Sequence, residues 1–152
     1  MLIIYVDADA CPVKDEIYKV ASRYQLRVVL VANAILRAPV GTLVELVVQS
    51  GFGAADEYIA ERVELGDIAI TADIPLAARC LAAGARVLDP RGRAITENEI
   101  GHLLGMRDLM EALRQSGQVA GGPPPMAARD RSRFLSMLDE TINSIRRTYS
   151  TN

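Results

Sequence analysis

At 152 residues, half of them hydrophobic, the chain is long enough for one ordinary domain with a sizeable core and too short for several. No stretch approaches the roughly 18 consecutive apolar residues of a membrane-spanning helix. Two cysteines, Cys11 and Cys80, are too few for a disulfide scaffold. The net charge of −2 is unevenly spread: residues 1–76 hold 6 Lys and Arg against 11 Asp and Glu, whereas residues 77–152 hold 11 Arg against 8 acids.

The cysteines read as free thiols of a reducing compartment, and the cytoplasm is the expected location. Asp7 and Asp9 interrupt the only apolar run near the start, so a signal peptide is not expected. An acidic first half and an Arg-rich second half suit a metal site with phosphate-binding surroundings, and equally suit solvated helix faces.

The chain opens on an apolar strand, "LIIYV", that runs straight into Asp7 and Asp9. Residues two apart in a strand share a face, and ligands of open α/β sheets sit beyond the carboxyl ends of the strands. Two carboxylates there repel unless a proton or a cation lies between them, and hard ions such as Mg²⁺ and Mn²⁺ favour oxygen ligands. Asp9 alone has a plainer reading as the cap of a following helix. That helix is predicted with Pro12 in its first turn and Val13, Ile17, Val20 and Tyr24 on one stripe. Cys11 lies near its start but lacks the arginine six residues on that a cysteine phosphatase needs, because Ile17 stands there. Lys14, in the first turn, is a candidate phosphate contact or an ordinary solvated lysine.

"RVVLVA" is the second predicted strand. Asn33 behind it either faces the cleft or serves turn chemistry. Pro39 and Gly41 make the next stretch loop, and "LVELVV" is the third strand. The helix predicted over "AADEYIAERVE" places Asp56 on its apolar side. At about 100° per residue, Val63, Ala60 and Ile59 fall within roughly 60° of it, with Glu57, Glu61 and Glu64 opposite. A carboxylate pointing inward at a helix start suggests a partner in a cleft; complementing the helix dipole is the alternative. Asp73 follows the fourth strand, "DIAIT", and precedes Pro75, a position that also suits a helix N-cap. Asp67 opens that strand at the far edge of the sheet and is left out of the site. A helix over "IPLAARCLAAG" ends at Gly84, and "ARVLD" is the fifth strand. Strands alternating with helices predict an α/β protein with a mostly parallel sheet.

Beyond residue 90 the pattern is helical. Thr96 and Glu99 form a capping box for a helix that carries Ile100, Leu103, Met110 and Leu113 and stops near Gly117. His102, the only histidine, has no second histidine with which to form a zinc site. "GGPPP" at 121–125 breaks the helix and reads as a linker or as a rigid loop laid across the body. The final helix carries Phe134, Leu138, Ile142, Ile145 and Tyr149 on one stripe, which also offers a surface for a homodimer. Arg129, Arg131 and Arg133 are candidates for tracking a nucleic-acid backbone, although alternate positions on a helix need not share a face.

"DADACPVK", "SGFGAADEYIAERVELGDIAITADIPLA", "GGPPP" and "RDRSRF" together resemble the bacterial YaiI/YqxD family, over nearly the whole chain. That family is grouped with PIN-like domains of the NYN type. The resemblance implies a three-layer α/β/α sandwich with a mostly parallel central sheet over residues 1–116. Residues 117–152 lie outside a minimal PIN-like core and are expected to form a Gly/Pro-rich loop and a C-terminal helix packed on the same domain. It further implies Mg²⁺- or Mn²⁺-dependent cleavage of nucleic acid, RNA above all, with Asp7, Asp56 and Asp73 as the clustered acids and Asp9 as a supplementary ligand. PIN-like sheets place their first and fourth strands side by side, which would bring Asp7 to Asp73. The expected function is therefore a metal-dependent nuclease without a membrane partner. Two rivals stand beside it. One is a non-catalytic module that binds nucleic acid or protein. The other is a haloacid-dehalogenase-like phosphatase with Asp7 as nucleophile, against which Cys11 stands where Thr or Val is usual.

Overall fold

The computed structural model describes every residue except 40, 42, 119–120, 122–123 and 150–152. Its strands are β1 (Ile3–Asp7), β2 (Arg27–Ala32), β3 (Val44–Val48), β4 (Ile68–Ile70), β5 (Arg86–Leu88) and β6 (Ala94–Ile95). Its helices are α1 (Lys14–Tyr24), α2 (Ala54–Arg62), α3 (Ile74–Ala82), α4 (Glu97–Gln115) and α5 (Ala128–Tyr149). The strands form one sheet in the order β3-β2-β1-β4-β5-β6, parallel throughout except for the antiparallel β5–β6 pair.

The apolar strands lack in/out polarity because both of their faces are covered. Ile4, Val6, Val28, Leu30, Ile68 and Ile70 alternate onto one face and pack against Ile17 and Val20 of α1 and Phe134, Leu138 and Ile142 of α5. Tyr5, Val29, Val31, Ala69 and Val87 take the other face, against Ala55 and Ile59 of α2 and Leu76, Ala77 and Cys80 of α3. The result is a three-layer α/β/α sandwich whose central strands β1, β2 and β4 are covered on both faces, while the edge strand β3 stays partly exposed. From β1 the chain moves outward through β2 and β3, then returns to β4 on the other side of β1. Strand order therefore reverses between β1 and β4, and the crevice above their carboxyl ends is where such a sheet opens to ligands.

Several elements differ from the sequence reading. β6 was not anticipated, since two residues carry no period. It is made by a turn in which the Asp89 carboxylate accepts from the N–H groups of Arg91 and Arg93, each at 2.9 Å. Pro12 lies ahead of α1 rather than in its first turn, and a short 3₁₀ turn, Ala8–Ala10, intervenes. α2 ends at Arg62, and Val63 is already extended. The Glu99 side chain does reach back to the Thr96 N–H, at 3.2 Å. However, α4 buries none of its residues: Ile100 and Leu103 rest on the α3 side of the core, while Met110 and Leu113 stay partly exposed. On α5 the stripe is deeply buried from Phe134 to Ile145, and only Tyr149 escapes it.

Residues 122 and 123 of the Gly/Pro segment lie outside the described residues. Beyond them, the Pro124 carbonyl accepts from Arg91. The Arg91 guanidinium also meets the buried Asp130 carboxylate at 3.1 Å, and that carboxylate accepts the Ala127 N–H at 2.9 Å. These bonds hold the start of α5 against the β5–β6 turn, at the same edge of the sheet as the carboxyl ends of β1 and β4.

Candidate functional site

Asp7 is the last residue of β1, and Thr71 is the first residue past β4, one position beyond the Val6–Ile70 pair. That register sets Thr71 beside Asp7. The Thr71 hydroxyl donates to Asp7 Oδ2 at 2.9 Å and accepts the Asp73 N–H at 3.0 Å. A single buried hydroxyl thus fixes the Asp7 side chain and the backbone that carries Asp73. Thr71 was missed in the sequence because a threonine at a strand end reads as a β-branched strand former. The available signal was its spacing, two residues before an aspartate and level with the end of the central strand.

Asp73 is also the N-cap of α3, accepting the Leu76 N–H at 2.9 Å ahead of Pro75. Capping leaves this carboxylate with lone pairs free for a second partner. Asp56 sits half-buried in the first turn of α2, next to Ala55, which packs on the sheet, and its carboxyl feels the charges of Asp73 and Asp7. Glu57, Glu61 and Glu64 are exposed, as the helical periodicity predicts.

The crowding is visible in the acidities. Burial, then the charges of Asp73 and Asp7 and the carboxyl–carboxyl hydrogen bond to Asp73, push Asp56 up to about 6; Arg79 opposes them. Asp7 is raised by burial and by the charges of Asp73 and Asp9, against the Thr71 hydrogen bond. Three carboxyl groups from β1, α2 and the start of α3 thus feel one another at the reversal of strand order, as a negatively charged crevice would require.

Asp9 is placed differently. It lies exposed on the 3₁₀ turn and does not cap α1, whose N-cap is Val13. Its Oδ2 instead accepts the backbone N–H of Asn33 at 2.9 Å, tying the end of β1 to the end of β2. Asn33 meets the site through this backbone bond, and its side chain is exposed. Lys14 Nζ turns back on its own turn, donating to the Cys11 carbonyl at 2.8 Å. Arg131 donates to the Pro12 carbonyl at 2.6 Å and pairs with Glu16 at 3.5 Å, so it clamps α5 to the turn before α1; Arg129 is exposed. Cys11 is buried, and burial raises its thiol pKa, which overrides any lowering by the helix start. Cys80 is equally buried, its thiol pushed up to about 12 by desolvation.

Among the described residues, no three His, Cys, Asp or Glu side chains converge closely enough as they stand to hold a metal ion. Carboxylate oxygens are nevertheless the donors that Mg²⁺ and Mn²⁺ take. Mg²⁺ keeps several waters and is usually bound by only one or two carboxylates together with substrate phosphates. The adjacent Asp56 and Asp73 carboxyls supply such a pair.

The fold is that of a three-layer α/β/α protein whose strand order reverses between β1 and β4, with Asp7 and Asp73 at the carboxyl ends of those strands. The family is shown by sequence comparison. Residues 5–144 match the model described as "Uncharacterized BCR, YaiI/YqxD family", and the chain belongs to that family. It is similar to a UPF0178 protein of Rhodospirillum centenum, 57% identical over 152 residues that cover 97% of this chain and 99% of the relative. A UPF0178 protein of Rhodopseudomonas palustris strain BisB5 is 57% identical over 145 residues, covering 95% of this chain and 88% of the relative. One from Paramagnetospirillum magneticum is 55% identical over 148 residues, covering 97% and 98%. No solved structure matches the chain.

Proposed function

We propose that this protein is a divalent-metal-dependent phosphodiester hydrolase acting on nucleic acid, with RNA the expected substrate. The observation that carries the reading is that the register of β1 and β4 brings Asp7 and Asp73 to one hydroxyl, that of Thr71, with Asp56 on the start of α2 beside them; burial first, and then the charges of Asp73 and Asp7, push Asp56 up to about 6. An arrangement that keeps like charges together without a counter-charge is costly, and a dication removes the cost.

In this reading Asp56 and Asp73 would hold the ion, whose positive charge would offset the neighbouring carboxylates that, after burial, raise Asp56. A bound Mg²⁺ or Mn²⁺ would polarise a phosphate oxygen and lower the pKa of attacking water. Thr71 fixes the rotamer of Asp7, so that its free oxygen can orient that water or complete the ligand set. Asp9, bonded to the Asn33 N–H, keeps the rim of the crevice in place and adds negative potential. Lys14, five residues after Asp9, and the exposed Arg129 would receive flanking phosphates, Lys14 after release from the Cys11 carbonyl.

The test is cleavage of a fluorescently labelled RNA oligonucleotide with Mg²⁺ or Mn²⁺. The parent protein is expected to cut, and Asp73→Asn to lose about 100-fold or more of the rate, the order associated with removing one electrostatic contributor to a transition state. Cleavage by Asp73→Asn at the parental rate would overturn the assignment. Binding without cleavage in either metal would favour a non-catalytic nucleic-acid module.

A further inference from the structure

Phe52 is fully exposed, its ring standing in water at the tip of the loop between β3 and α2. The loop is built to hold it there. Gly51 and Gly53 flank it with φ of 113° and 72°, a region that other residues enter only under strain. A methyl group built on Gly53 would meet nothing within 4 Å, so packing does not demand that glycine; the backbone conformation does. A phenylalanine just before a helix N-cap has a common structural use as the first half of a hydrophobic staple, packed on the fourth helical residue. Here that residue is Glu57, which is turned outward and paired with Arg79 at 2.6 Å. The staple is absent, and the ring has no intramolecular use.

Its position relative to the acidic crevice is set by bonded neighbours. Asp56 follows four residues later, in the first turn of α2. Ser50 Oγ donates to the Asn33 carbonyl at 3.5 Å, and the N–H of Asn33 is held by Asp9. The Phe52 loop is therefore joined to the rim of the crevice on two sides. Ile35, also largely exposed, stands on the neighbouring β2–β3 connection. With a divalent ion between them and its phosphates, the carboxylates and a flat apolar ring in the loop that leads into Asp56 would suit a polymer that carries both phosphates and aromatic faces.

We propose that Phe52 is a stacking platform for an unpaired nucleobase, so that the crevice takes a single strand rather than a duplex. Bases within a duplex already stack on one another, whereas an unpaired base offers a free face to an aromatic side chain. The inference deepens the hydrolase reading by naming the strand state of its substrate, but it concerns binding and can be tested without turnover.

The chain contains no tryptophan, so Phe52→Trp installs a single fluorescent reporter. With Ca²⁺ present, saturable quenching of its emission by a single-stranded octanucleotide is expected, and none by a duplex of the same length. Phe52→Ala should weaken binding of the octamer about tenfold, within the range of base–aromatic stacking, and leave the melting temperature unchanged because the ring buries nothing. Absence of quenching by RNA and DNA single strands alike, equal quenching by duplex, or parental affinity in Phe52→Ala would each overturn the proposal. Quenching without cleavage in Mg²⁺ or Mn²⁺ upholds the stacking role and removes the hydrolase reading. Cleavage without quenching does the reverse.

Discussion

Asp56 shows how a single side chain can carry a functional cost. Its acidity is displaced upward, from an ordinary 3.8 to about 6. The folded state therefore holds the proton more tightly than the unfolded chain does. Stability from this group is complete below about pH 4 and is lost as the pH rises through about 6. Above that, the charged carboxylate destabilises the fold, by about 1 kcal/mol once solvent screening is allowed for. Asp56→Asn should accordingly be more stable than the parent at pH 7.5 and equal to it near pH 4, as read by denaturant unfolding at each pH. Saturating Mn²⁺ should reverse the order at pH 7.5, raising the melting temperature of the parent and not that of the variant. An Asn variant that is less stable at both pH values would show that the carboxylate is structural.

At the scale of elements, the β5–β6 turn packs directly against the backbone of α5 at Gly92. Gly92 has a φ of 84°, and a Cβ there would lie 2.8 Å from the Phe134 backbone nitrogen. Backbone cannot give way as a flexible side chain can, so Gly92→Ala should cost about 2–4 kcal/mol, combining conformational strain with overpacking. The denaturation midpoint checks this, and a change under 0.5 kcal/mol, the size of an ordinary surface substitution, would mean that α5 is not held against the turn. Elements of this kind separate what could be read from the sequence from what could not. β1, β2 and β4 were legible because runs such as "RVVLVA" are apolar on both faces. α5 was legible because Phe134, Leu138, Ile142 and Ile145 keep one helical stripe. β6 was not, since its two residues are defined by the Asp89 turn rather than by any period. The stripe of α4 was legible as a pattern, but its covering was not, because periodicity says which residues align and not what lies against them.

Over the whole molecule, the site depends on order rather than on composition. Each of Asp7, Asp56 and Asp73 could be placed at an element end by local pattern, but bringing them together required β4 to return beside β1. Strand order is a long-range property that no local window contains; only family resemblance suggested it, and the parallel pairing of Ile4–Ile68 through Val6–Ile70 realises it. Asp9 illustrates the converse. Two carboxylates at alternate positions imply a shared direction only while the strand continues, and it stops at Asp7, where the 3₁₀ turn sends Asp9 toward Asn33. Thr71 escaped notice because its hydroxyl matters through a partner 64 residues away.

The most direct test is anomalous diffraction from a crystal soaked in Mn²⁺. A peak should appear in the crevice at the carboxyl ends of β1 and β4, with Asp56 and Asp73 oxygens within about 2.3 Å of it and Asp7 reaching it directly or through one water. A crevice without manganese at saturating concentration, or a peak elsewhere with these three aspartates uncoordinated, would contradict the account.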